Sequence, residues 1–440
     1  MKPLVTVALC VWAGLASAGP AELSVDQMRA FGMAAVTQGY ADQAMGIAEA
    51  LLQRDAGDSA GWLLKAQALR LQGDLPGSAL AARQAWATAS DKPARYQAAT
   101  ALAQALSLQG QRLQAQYWLR QAVQNAPTGA TQRQAVQDFN YVRGENPISL
   151  QFSGSVRPSD NVNGGGKFDL VQIGPFILPL PSTLLQLSGT SWAAGLSGKY
   201  RLSDDGQRQT ALTFGVNVQG VALTDAAKAK APDLANGDFL YRQVQIGWQS
   251  RKTHGWGRVT TDLSLGHSWY GDADLADSLA AAVALDHALT PDLGLHLAAD
   301  VTRQLHTHSF DDSSTSLGLT GSLAKTYAKG DQIEVSLDLA RVASKQPGTD
   351  RTEAGLALQW QAAHPVLGLG LGASLSGRQM TYANGRNDRR LAGGLTATVN
   401  SITYLGFSPV LSLDVAHNQS TVPWFTSDTV ALGLSLKSRF

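Results

Sequence analysis

His306 and His308 stand two residues apart in a polar stretch, with Asp311 and Asp312 close behind. Imidazole and carboxylate groups at such spacing are the donors that a zinc site uses. No third ligand is identifiable beside them, so a solvated loop is expected and no metal. Asp262, Asp300, Asp338 and Asp414 could in principle pair as acid and base. Each lies in a stretch that alternates with apolar residues, and no nucleophile and base accompany them. They read as the wet lining of a channel. Asn163-Gly164-Gly165-Gly166 has the composition of a phosphate cradle, but it does not lead from a strand into a helix. No catalytic set and no cofactor is expected.

The elements that carry these residues fall into two halves. The chain has 440 residues, 44% of them hydrophobic, which is material for more than one domain. Lys2 precedes an apolar run over residues 4–15, and Ala16-Ser17-Ala18 follows at the spacing of a leader cleavage site. Residues 1–18 are therefore expected to be a signal peptide. The single cysteine, Cys10, lies within it, so disulfide scaffolds and thiolate chemistry are excluded from the remainder. A formal net charge of +1 without basic blocks gives no nucleic-acid footprint.

Residues 19–145 are rich in Ala, Gln, Leu and Arg, all good helix formers. Gly39, Gly73 and Gly110 are expected at helix–helix turns, spaced by 34 and 37 residues, near the period of a tetratricopeptide repeat. Ala66, Ala82, Ala85, Ala103, Ala115 and Ala122 then face inward, where small side chains let antiparallel helices approach. Three pairs and a closing helix are expected; a generic helical bundle is the alternative. Pro147 disfavours helix at Asn146 and marks the boundary.

From residue 146 to 440 the pattern changes to period two. Ile333, Val335, Leu337 and Leu339 alternate with Gln332, Glu334, Ser336 and Asp338. About fourteen such segments, from 148–156 through 238–249 to 427–440, match the roughly 9 to 11 residues of a tilted membrane strand. An antiparallel transmembrane β-barrel is expected, greasy outside and wet within. Val430, Leu432, Leu434, Leu436 and Phe440 resemble the signal by which such barrels are recognised for insertion. The connection after the first strand, residues 157–190, is the longest, which places it outside the cell if the helices are periplasmic.

Specific segments then carry a resemblance. Arg157-Pro158-Ser159-Asp160-Asn161-Val162-Asn163, and the stretch from Arg386-Asn387-Asp388-Arg389-Arg390 through Gly406-Phe407-Ser408-Pro409 to Asn418 and Val422-Pro423, resemble the surface lipoprotein assembly modulator (Slam) family. The resemblance spans both halves and implies a translocator without catalytic residues. Its clients would be surface lipoproteins or secreted haem- or metal-acquisition proteins. The helical region here is compact for that family, so client identity does not carry over. The resemblance makes Asp160, Asn161, Asn163, Arg386, Asp388, Arg389 and Arg390 candidate client-contact or gating residues. Phe176 joins them because it lies in the apolar loop stretch 174–181, which must fold into the barrel mouth or meet a client to be covered. Expected partners are the client, outer-membrane lipid, the barrel-assembly machinery and a periplasmic chaperone. The rival readings are an exopolysaccharide exporter and a simple diffusion porin.

Overall fold

A computed structural model describes residues 23–173, 176–307 and 312–440. The expected signal peptide lies outside these residues. The chain forms two compact units that divide between Phe139 and Asn140.

Seven helices come first: α1 (Val25–Gln38), α2 (Ala41–Arg54), α3 (Ser59–Leu71), α4 (Leu75–Thr88), α5 (Lys92–Leu108), α6 (Arg112–Asn125) and α7 (Gly129–Glu145). Local chemistry sets their ends. Asp58, Asp74 and Asp91 each accept a hydrogen bond from a first-turn amide of α3, α4 and α5, satisfying donors that the helix itself cannot. Gly39, Gly73 and Gly110 turn one helix into its partner with φ of +80°, +84° and +77°, a conformation that a Cβ penalises. Ala66, Ala82, Ala85, Ala103, Ala115 and Ala122 are all buried, and Leu64, Leu102 and Leu106 fill the space between them. Trp86 packs edge-on against Trp118 at 5.2 Å.

The second unit is a closed antiparallel barrel of fourteen strands. In chain order the strands are β1 (Ile148–Ser159), β2 (Leu170–Ile173), β3 (Phe176–Pro179), β4 (Gly189–Asp204), β5 (Arg208–Leu223), β6 (Tyr241–His254), β7 (Gly257–Tyr270) and β8 (Ala273–Thr290). They continue with β9 (Leu293–His306), β10 (Ser314–Thr326), β11 (Gln332–Ser344), β12 (Arg351–Gln361), β13 (Leu369–Tyr382), β14 (Asn387–Val399), β15 (Phe407–Ser420) and β16 (Ser427–Ser438). Strands β4 to β16 pair in sequence and β16 returns to β1, which also pairs β4; β2 and β3 form a separate hairpin. Every expected segment is a strand. Two boundaries differ informatively. β1 continues through Arg157-Pro158-Ser159, because these residues keep pairing with Ser191, Thr190 and Gly189. β6 runs on to His254, where polar residues remain hydrogen-bonded to β5 and β7 although the apolar alternation has ended.

Register fixes the two faces. Leu317, Leu319, Leu356, Leu391, Leu395 and Leu432 are 55–60% exposed, and they alternate with Gly318, Thr320, Gly355, Ala392, Thr396 and Gly433, which face the lumen. Apolar surface on this scale is stable only against lipid. Short turns such as 205–207, 255–256 and 291–292 lie at the end where residue 147 enters the barrel. The long connections 160–188 and 224–240 lie at the other, which we call the loop end. The 224–240 connection contains a short helix, α8 (Asp225–Lys230).

At two turns the sequence conflicts with its geometry. Leu367-Gly368, between Val366 and Leu369 in the β12–β13 connection, and Leu405-Gly406, between Tyr404 and Phe407 in the β14–β15 connection, are two-residue turns with φ of +52° and +79° and of +49° and +79°, a geometry that favours Asn-Gly.

Two outcomes follow. Leu367→Asn should raise barrel stability by about 1 kcal/mol by removing left-handed strain from a branched side chain, read as a higher urea midpoint in detergent. Leu356→Arg, outward at mid-barrel, should cost about 2–4 kcal/mol in lipid vesicles, while Ser336→Arg on the lumen face leaves the midpoint nearly unchanged.

Candidate functional site

The two segments that drew attention in the sequence meet at the loop end. A cavity of about 490 Å³ there is lined by Arg157, Ser159 and Asn161 from β1 and its exit, by Tyr382, Arg386, Asp388 and Arg390, and by Asn418, Phe425 and Ser427. Strands β13 and β14 bring the second group, β15 and β16 the third, and β1 closes the ring beside them.

Arg386 is the fixed point of this site. Its guanidinium lies 3.6 Å from the centre of the Tyr382 ring and 3.8 Å from that of Phe425, so it is stacked on both faces. Its Nε stands 3.3 Å from Asp388 Oδ2, with both side chains at least nine-tenths buried. Asp388 Oδ1 and Asn418 Oδ1 are buried with no hydrogen-bond partner among the described residues. Arg390, two residues along the same strand face, makes no ion pair among them. Arg157 reaches across β16 to Asp414 on β15 at 2.8 Å. It can cross because position 433 beneath it is glycine; a Cβ there would collide with Ser412 and crowd Arg157 Cγ.

Asp160 and Asn161 serve the barrel wall. Asp160 N donates to Val430 O at 3.3 Å, and Asp160 Oδ1 accepts from Val430 N at 2.8 Å. Asn161 Nδ2 donates to Asp428 O at 3.1 Å and to Gly165 O at 2.9 Å. Side chains thus continue the β1–β16 pairing where β1 ends. Asn163 instead braces the loop: its Nδ2 donates to Leu185 O and its Oδ1 accepts from Leu187 N. The glycines after it permit close approach. A Cβ on Gly165 would collide with Leu185 O and one on Gly166 with Trp424 O. The loop therefore lies tight against the last connection, and Lys167 also pairs with Asp428 at the start of β16 at 3.1 Å.

A small apolar core holds this cap together. Leu185, Leu187, Leu223, Ala227 and Ala231 are buried, with Val162, Leu180 and Phe239 packed around them. Leu180 of the apolar stretch is thereby covered, whereas Ile177 on β3 is 67% exposed. Phe176 begins β3, and its backbone pairs with Ile173.

Other candidates separate. Arg389 points to the outer face of β14 and donates to Gln379 Oε1 at 3.0 Å, so it takes no part in the cavity. Asp262, Asp300, Asp338 and Asp414 all face the lumen on different strands. Asp262 accepts from Gln249 at 2.6 Å and Asp338 from Thr320 at 2.9 Å, a lining rather than an acid–base pair. Nearby, Glu353 bridges Arg351 and Arg378 at 2.7 and 3.0 Å. His308 and Asp311 lie outside the described residues, and among those described no group of metal-binding side chains gathers. Sequence reasoning missed Tyr382, Phe425 and Gly433. Phe425 stood two residues beyond the noted Val422-Pro423, but an aromatic ring or a glycine carries no sign of the side chain it will meet.

No family model and no curated protein matches the chain. Among solved structures, OprB of Pseudomonas putida aligns over 70% of this chain and 96% of its own, at 6% identity and a TM-score of 0.41. A loop-deletion variant of OmpT, an outer membrane protein of Vibrio cholerae, aligns over 66% and 99%, at 12% identity and a TM-score of 0.34. The type III secretion translocator chaperone SycD of Yersinia enterocolitica aligns over 28% and 88%, at 14% identity and a TM-score of 0.25. Likeness at this level transfers no activity.

Removing Arg386 strands a buried carboxylate. Arg386→Met should lower barrel stability by about 3–5 kcal/mol, because Asp388 then loses its counter-charge. Adding Asp388→Asn should restore most of that loss, measured by the temperature at which the barrel loses its folded mobility in detergent gels.

Proposed function

We propose that the chain is an outer-membrane translocator that carries a client polypeptide to the cell surface, its helical unit holding the client in the periplasm. One observation carries the reading: two segments far apart in sequence, both resembling the Slam family, converge on one cavity at the loop end. The cavity's chemistry suits a peptide. Buried acceptors at Asp388 and Asn418 want donors, and the unpaired Arg390 wants an acceptor. A peptide unit supplies both, and the faces of Tyr382 and Phe425 suit its apolar side chains.

The helical unit fits the same role. Paired helices with small inward residues stack into a curved array whose concave side is a common peptide-binding surface. Binding energy alone then drives selection, and export needs no covalent step. The continuous polar lumen face favours a second reading, a passive diffusion pore, which requires neither the helices nor the rim cavity.

The test uses intact cells. A secreted β-rich protein or lipoprotein encoded beside this gene should be shaved by external protease when the full chain is present. It should be protected when the chain is absent or lacks residues 23–125. Equal shaving in all three strains would reject the translocator, and unchanged small-solute uptake on deletion would count against the pore.

A further inference from the structure

The barrel is closed unevenly. All of β1 from Ile148 to Ser159 pairs with β4, and the β15–β16 ladder runs unbroken from Phe407–Ser438 to Asn418–Ser427. Between β1 and β16 the ladder holds just Ser155–Ser435, Val156–Leu434 and Ser159–Ala431. Part of the cause is in the sequence. Asp160 N is directed at Val430, so alternate residues 158, 156, 154 and 152 aim their backbone groups at β16. Pro158 has no N–H to give, and the Asp160 and Asn161 side chains take over above it.

Towards the turn end no further β1–β16 pair follows Ser155–Ser435 among the described residues. In the same register Ser155–Ser435 is a non-hydrogen-bonded pair, held by Gly154 C=O accepting from Leu436 N–H; beyond that bond neither the Gly154 N–H nor Phe152 enters the ladder with β16. Such backbone groups are left wanting partners in a setting where lipid offers none. Both strands remain fully anchored on their other sides. The seam is thus fastened at the loop end, by Arg157–Asp414 within the lumen and by Asp160 and Asn161 in the wall, and loose at the turn end.

We propose that the β1–β16 seam parts from the turn end, hinged on this loop-end fastening, and that the freed edge of β1 takes an extended client segment as an added strand. The identity of that segment as a client rests on the translocator reading; the parting seam does not. An edge of free amides and carbonyls recognises an extended backbone. The flanking side chains set its pattern. Leu150 and Phe152 are 37% and 63% exposed on the lipid side, while Gln151 and Ser153 face the lumen, so the segment should alternate apolar and small polar residues.

Three measurements on the full chain test this. In detergent, hydrogen exchange at residues 150–154 should run at least about tenfold faster than in β10 and β11; equal rates overturn the parting seam. In a Cys10→Ala background, a disulfide between Gly154→Cys and Leu436→Cys should abolish client display until reduced. The matching pair Ser322→Cys and Ser336→Cys, on the intact β10–β11 junction, should not. Display through the locked seam at wild-type level overturns the proposal. A photocrosslinker replacing Phe152 should capture client during display, and one replacing Leu337 should not; no adduct at 152 overturns strand addition. Fast seam exchange in a strain that displays no client would sink the translocator reading and leave the parting seam standing.

Discussion

Lipid offers no hydrogen bonds, so every amide and carbonyl of a membrane-spanning sheet must be paired by the chain itself. That constraint forces the sheet to close, and closure forces the first strand to meet the last. Most of the second unit follows from it: the alternation of Leu with Gly, Ser and Thr, the strand lengths, and a lumen where charges must find one another. Where the first strand meets the last, the constraint is met unevenly. Pro158 interrupts the pairing, and the carboxylate of Asp160 and the amide of Asn161 stand in for backbone groups.

The same corner holds a dense set of specific polar contacts. Arg386 is stacked between two rings and pinned to Asp388, and Arg157 spans a strand to reach Asp414. A loop braced by Asn163 and packed on its own apolar core lies above. Residues that select or gate are best held by rigid surroundings, and the rim has them. The unsatisfied oxygens of Asp388 and Asn418 are notable because buried acceptors are ordinarily paired; in the proposed reading their partner belongs to whatever enters the cavity.

The helical unit solves the backbone problem differently. Its helices satisfy their own amides and carbonyls, apart from first turns that Asp58, Asp74 and Asp91 complete. What remains is apolar packing between alanine-lined faces, which calls for close approach rather than bulk. In the proposed reading, a unit of this kind joins a binding surface to the barrel's passage.

Much of this was legible in the residues themselves. The period-two alternation identified every barrel strand, since side chains of a strand must alternate between two solvents. The glycine spacing identified three of the helix turns, since only a residue without Cβ takes their backbone conformation cheaply. Local chemistry was enough for both. It was not enough to show that Arg389 faces away from the cavity that Asp388 and Arg390 line, or that Arg157 belongs to β1. Nor could it reveal that Tyr382 and Phe425 clamp Arg386, that Gly433 clears a path for Arg157, or that the β1–β16 ladder is short. Each of those depends on register and on which strands become neighbours once the sheet closes, a condition on the whole chain that no local pattern encodes.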